Sequence, residues 1–129
     1  MELSGLTIGT THQVQFKVTE SHLANHIGSG LLPVLSTPSL IAWLEFTAME
    51  SVSSCLSKNE TTVGIAVSFH HLKASSLHAV VVCQATVTAI DGRRISFEVK
   101  AFDAAQTLIG SGTHDRFVVD SDRFMAKLA

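Results

Sequence analysis

Three residues in this chain have the types that proton transfer and charge stabilisation need: Glu45, His71 and Thr37. Glu45 lies in "STPSLIAWLEFTAMESV" (36–52), which reads as a helix expected to run to about Leu56. At 100° per residue, Thr47, Glu50, Ser51, Ser54 and Lys58 share one polar stripe. Ile41, Ala48, Val52 and Leu56 share an apolar one, and Glu45 falls within it. A carboxylate on an apolar face is costly unless it meets a partner. Glu50 belongs to the polar stripe and is given no chemical role.

His71 is selected by alternation. Counting back by twos from it gives Phe69, Val67, Ile65 and Val63, all apolar, so His71 is expected on the core face of a strand. Counting back from His70 gives Ser68, Ala66 and Gly64, a small and polar set. An inward Glu and an inward His form a candidate acid/base pair. The plainer alternatives are a helix-edge Glu45 that reaches water or a structural partner and a singly hydrogen-bonded core residue for His71. Gly64, inside the same strand, marks a bulge or a close approach by another group. Thr37, followed by Pro38, is placed as the cap of the helix. A hydroxyl there lies beside free N–H groups, a good place for a carbonyl oxygen gaining charge. Thr37 and Glu45 are eight residues apart, about 12 Å along the axis. One reacting group reaches both only through a bridging element or from two subunits.

These residues need a scaffold. A strand is expected at 12–18, a helical turn at 20–26, a Gly/Pro loop at 27–36 and then the helix. Strands follow at 61–72, 78–90, 93–103 and 108–120, with a hairpin turn at Asp91–Gly92. One strand, one long helix and four strands with short connections describe an α+β arrangement, a sheet wrapped around a central helix.

The 129 residues suit one domain spanning 1–129, and 46% hydrophobic against 16% charged residues gives ample core material. The shortage of charge implies surface covered by another subunit. A net charge of −2 with no basic run argues against nucleic acid and against a polybasic membrane anchor. No window is apolar enough to span a bilayer, and "MELSGLTIGT" has no signal-peptide pattern. Cys55 and Cys83 stand apart as free thiols, which fits the cytoplasm. His22 and His26 have metal-ligand spacing but no third ligand, so no metal is expected.

"LSTPSLIAWLEFTAMESV", "TVGIAVSFHHLKASS" and "ATVTAIDGRRISFEVKAFDAAQTLIGSGTHDRFVV", in that order, resemble the hotdog-fold acyl-CoA thioesterases, in particular the fluoroacetyl-CoA thioesterase-like group. The resemblance runs from about residue 10 to 120. It implies catalytic roles for Thr37, Glu45 and His71, with Gly64 close to the substrate. Arg116, in "GTHDR", becomes a candidate for contact with the acyl-CoA or for a structural role. The fluoroacetyl-specific enzyme carries an aromatic lid before the Thr; Leu31 and Leu32 stand there in this chain, so Leu31 is the candidate contact and fluorine selectivity is not expected. After the His the family runs to a Pro and a Gly, where this chain has Ser76 and His78. The resemblance also implies a homodimer, with tetramer pairing as a further step, two sites at the interface, a small acyl-CoA substrate and no cofactor. Without catalysis, the same fold would be an acyl-CoA binding module. The Asp-x-Asn-Pro-x-His pattern of hotdog hydratases is absent.

Overall fold

A computed structural model describes residues 5–129; residues 1–4, on which part of the N-terminal reading rests, lie outside the described residues. Strand β1 (Thr11–Lys17) leads through a 3-10 turn (Glu20–His22) and one helical turn, α1 (Ala24–Ile27), to the long helix α2 (Thr37–Ser53). Strands β2 (Glu60–His71), β3 (Val80–Asp91), β4 (Arg94–Asp103) and β5 (Leu108–Asp120) follow, and a short helix, α3 (Ser121–Ala126), ends the chain. Helix α2 stops at Ser53, three residues earlier than its pattern implies.

All strand pairs are antiparallel, in the order β1-β3-β4-β5-β2. Sequence neighbours β2 and β3 are therefore not sheet neighbours. Their connection is pinned by the Val34–Ser76 bridge and by Leu35 N–H donating to Ser75 O at 2.9 Å. Along this connection His78 takes a φ of 73°, a backbone region that favours glycine.

Helix α2 packs against β1, β2, β3 and β4. Its buried residues Leu40, Leu44, Ala48 and Val52 meet Val81, Cys83, Ala85, Phe97 and Val99 in one core. Trp43 stacks on Phe16 of β1 with ring centroids 4.8 Å apart. Thr47 is fully buried, contrary to its place in the polar stripe. Its hydroxyl donates to the Trp43 carbonyl at 2.8 Å, which satisfies the polar atom within the helix and lets the methyl join the core. Glu50 is exposed as expected and pairs with His12 at 2.9 Å. His22 is engaged structurally: its Nδ1 accepts from Thr19 N–H at 2.9 Å, and its ring meets the edge of Trp43. Both cysteines are free thiols, and burial pushes Cys83 up to about 12.

Candidate active site

The helix start departs from expectation in a way that matters for chemistry. Ser36 is the N-cap, its Oγ accepting from Ser39 N–H at 3.2 Å, and Thr37 is the first helical residue. Relieved of capping, the Thr37 hydroxyl pairs with Nδ1 of His71 at 2.8 Å. His71 Nε2 is buried with no hydrogen-bond partner. Burial holds the His71 pKa below the usual 6.5, opposed by the nearby Lys73 backbone, so the imidazole is neutral at pH 7. The pair lines a cavity of about 320 Å³ with Ser36, Pro38, Leu72 and Lys73.

A second cluster forms two turns along α2. Strand β2 has a bulge at Ile65: Gly64 pairs with Arg116, and the next pair is Ala66 with Asp115. Directly paired residues share a sheet face, so Val67 goes with His114 and Gly64 with Arg116. The extra residue shifts the alternation by one. His71, Phe69 and Val67 face inward as counted, but upstream of the bulge the inward residues are Gly64 and Thr62, not Ile65 and Val63. This brings Gly64 against Glu45, where a Cβ would lie 2.5 Å from Glu45 Oε2 and 3.2 Å from His114 Cε1. Only glycine leaves that space open. Gly64→Ala is expected to displace the Glu45 carboxylate and cut turnover at least tenfold while shifting the urea midpoint little; paired kinetics and unfolding curves check this.

Glu45 Oε2 lies 3.6 Å from Arg116 Nη1 and 3.9 Å from His114 Nε2. The Glu45 side chain is 42% exposed, whereas Arg116 and His114 are buried beneath it. Arg116 donates from Nε to Thr62 Oγ1 at 2.7 Å, from Nη2 to Thr62 O at 2.9 Å, and from Nη1 to His114 Nε2 at 3.1 Å. Burial draws the Arg116 pKa down, and Glu45 draws it back up.

The structure therefore joins Thr37 to His71, and Glu45 to Arg116 and Gly64. Glu45 and His71 form no ion pair within the chain. Leu31 projects from the loop before α2, 93% exposed and outside the cavity lining. Thr62 and His114 escaped the sequence reading. The available signal was period two: His114 precedes Arg116 by two residues, and Thr62 precedes Gly64 by two.

Burial also lowers the His114 pKa from 6.5, aided by Arg116 and opposed by the bond to Ala66 O and by Glu45 and Asp115. A histidine that binds its proton less readily folded than unfolded stabilises the fold fully above about pH 6.5, and that stability is lost as pH falls toward the folded value. His71 acts in the same direction. The urea midpoint should fall between pH 7 and 5, less steeply in His114→Gln.

Residues 18–122 match the family described as fluoroacetyl-CoA-specific thioesterase. The fluoroacetyl-CoA thioesterase of Streptantibioticus cattleyicolor is 30% identical over 95 residues, 74% of this chain and 68% of that protein. A crystal structure of the fluoroacetyl-CoA thioesterase FlK aligns with a TM-score of 0.91 at 26% identity, covering 97% of this chain and 96% of that chain. A mutant of that enzyme has been solved with fluoroacetate and CoA; it is 25% identical and aligns at a TM-score of 0.87 over 92% of this chain and 99% of that one. A thioesterase superfamily member from Thermus thermophilus, 20% identical, shares the fold at a TM-score of 0.89, over 97% and 92% of the two chains. A five-stranded antiparallel sheet around a central helix, with these relatives, defines a hotdog-fold thioester hydrolase. The chain belongs to the fluoroacetyl-CoA-specific thioesterase family.

Proposed function

We propose that this chain, acting as one domain, hydrolyses a small acyl-CoA thioester at a composite site shared by two subunits. The observation that carries the reading is the Thr37–His71 hydrogen bond, which leaves a buried imidazole nitrogen unpartnered beside a cavity. With the Thr37 hydroxyl donating to Nδ1, the imidazole proton resides on Nε2, free to hydrogen-bond a leaving thiolate, which then takes its proton from water. Glu45 supplies the carboxylate. It attacks the thioester carbonyl carbon to form an anhydride as the C–S bond breaks, or it removes a proton from an attacking water; either route ends in free acid and CoA. Label from oxygen-18 water found in Glu45 after a single turnover identifies the anhydride route, with water attacking the Glu45 carbonyl carbon. The backbone N–H of Thr37, at the N-terminal turn of α2, stabilises the carbonyl oxygen as charge develops, its hydroxyl being engaged with His71. Gly64 admits the acyl group, and Leu31 covers it.

A homodimer reconciles the two clusters. About 12 Å of helix separates Thr37 from Glu45, so the pair from one subunit and the carboxylate from the other can meet one substrate. Edge strand β2 supports this: its outer edge is unpaired, and Ile65 and Val67 are 50% and 47% exposed. Pairing of dimers into a tetramer is a further step. We place the enzyme in the cytoplasm, where Cys55 and Cys83 remain reduced.

The test is thiol release from short, aromatic and long acyl-CoAs. The wild type should turn over at least one short acyl-CoA, and His71→Ala should lose nearly all of that activity as a folded dimer. CoA-ester binding without thiol release would instead identify a binding module.

A further inference from the structure

His114 is 3% exposed, and both of its ring nitrogens are engaged. Nδ1 lies 2.8 Å from the carbonyl oxygen of Ala66, the residue following the bulge. A carbonyl only accepts, so Nδ1 carries the proton and Nε2 presents a lone pair. That lone pair receives Nη1 of Arg116 at 3.1 Å. The ring also stacks near Phe97, with centroids 6.2 Å apart and planes 27° apart, which restrains its rotation.

The consequence concerns charge. A buried guanidinium usually meets a carboxylate, which orients and neutralises it together. Here all three hydrogen-bond acceptors are neutral: the Thr62 hydroxyl, the Thr62 carbonyl and the His114 imidazole. They hold the guanidinium plane and leave its positive charge unanswered, among the described residues, except by Glu45, 3.6 Å away on the half-exposed side. An acidic residue at position 114 would orient Arg116 equally well and would compete with Glu45 for its charge.

We propose that His114 is a positioning residue for the hydrolysis, a neutral acceptor that aims Arg116 at the Glu45 carboxylate without cancelling its charge. This rests on the thioesterase reading above. Two substitutions divide the role. His114→Gln offers a neutral amide oxygen to Arg116, whereas His114→Glu offers a charged one. His114→Gln should keep kcat/KM within about fivefold of wild type. His114→Glu gives up the bond to Ala66 O, as a carboxylate has no proton to donate, and should lose about tenfold or more in kcat/KM, the scale of one interaction with a charged group. Retained activity in His114→Gln beside its loss in a folded His114→Glu is the split that a merely structural role does not produce. Equal activity in the two variants, or an inactive but folded His114→Gln, overturns the proposal.

Nitrogen-15 spectra of the wild-type imidazole provide a check that needs neither turnover nor a folded variant. They should show a protonated Nδ1 and a bare Nε2 at pH 7; a protonated Nε2 overturns the proposal. A wild-type protein that releases no thiol from any acyl-CoA refutes the thioesterase reading, and the nitrogen spectra then decide whether His114 is the neutral acceptor.

Discussion

Glu45→Gln should reduce thiol release from the best acyl-CoA by about a thousandfold or more, the scale of removing a group that itself reacts. The amide fills the same volume and still meets Arg116 Nη1 through an oxygen, so the geometry of the cluster is kept. What disappears is the negative charge, and with it both nucleophilicity and basicity. The stability cost should be about 1–3 kcal/mol, because Glu45 is half-exposed but the guanidinium whose charge it answers is buried. A folded protein that binds acyl-CoA without releasing thiol is the expected result. Near-normal turnover in this variant would remove Glu45 from the mechanism.

Arg116→Met should affect both activity and folding. Arg116 is 6% exposed and donates to Thr62 twice and to His114 once. Methionine approximates its volume but gives nothing to those acceptors. A buried polar group left unpaired costs about 1–3 kcal/mol, so the loss should amount to several kcal/mol. For a domain with a total stability of about 5–15 kcal/mol this lowers the urea midpoint sharply. Activity should fall as well, because Glu45 loses the cation beside it. Combining Arg116→Met with Glu45→Gln should add little to the catalytic loss of Glu45→Gln alone, since two residues acting on one step are not additive. Fully additive losses would separate Arg116 from the carboxylate.

The elements were legible because they rest on local periodicity. Three- and four-residue spacing marked α2, and period-two alternation marked β2 to β5 to within a few residues. Within the site, alternation made His71 inward and the helical stripe turned Glu45 toward the sheet. The failures share one cause. Thr47 looked polar by type, and only the Trp43 carbonyl one turn earlier shows how its hydroxyl is satisfied. Thr37 looked like the cap because Pro38 follows it, yet the neighbouring serine took that role. Both outcomes depend on which of two adjacent groups finds the better partner.

The sequence by itself determined the α+β architecture, the long helix and the presence of an inward carboxylate and an inward imidazole. Those follow from which side chains can share a face, a property written in their spacing. Tertiary structure alone decided which groups meet. The bulge at Ile65 shifted the alternation by one residue and turned Gly64 and Thr62 toward α2. Strand β5, much later in the chain, then delivered Arg116 and His114 beneath Glu45, while Thr37 closed on His71 at the helix start. A register shift has no local signature beyond a single glycine, because it is fixed by pairing between distant strands. That pairing separates the carboxylate from the imidazole into two clusters within the chain.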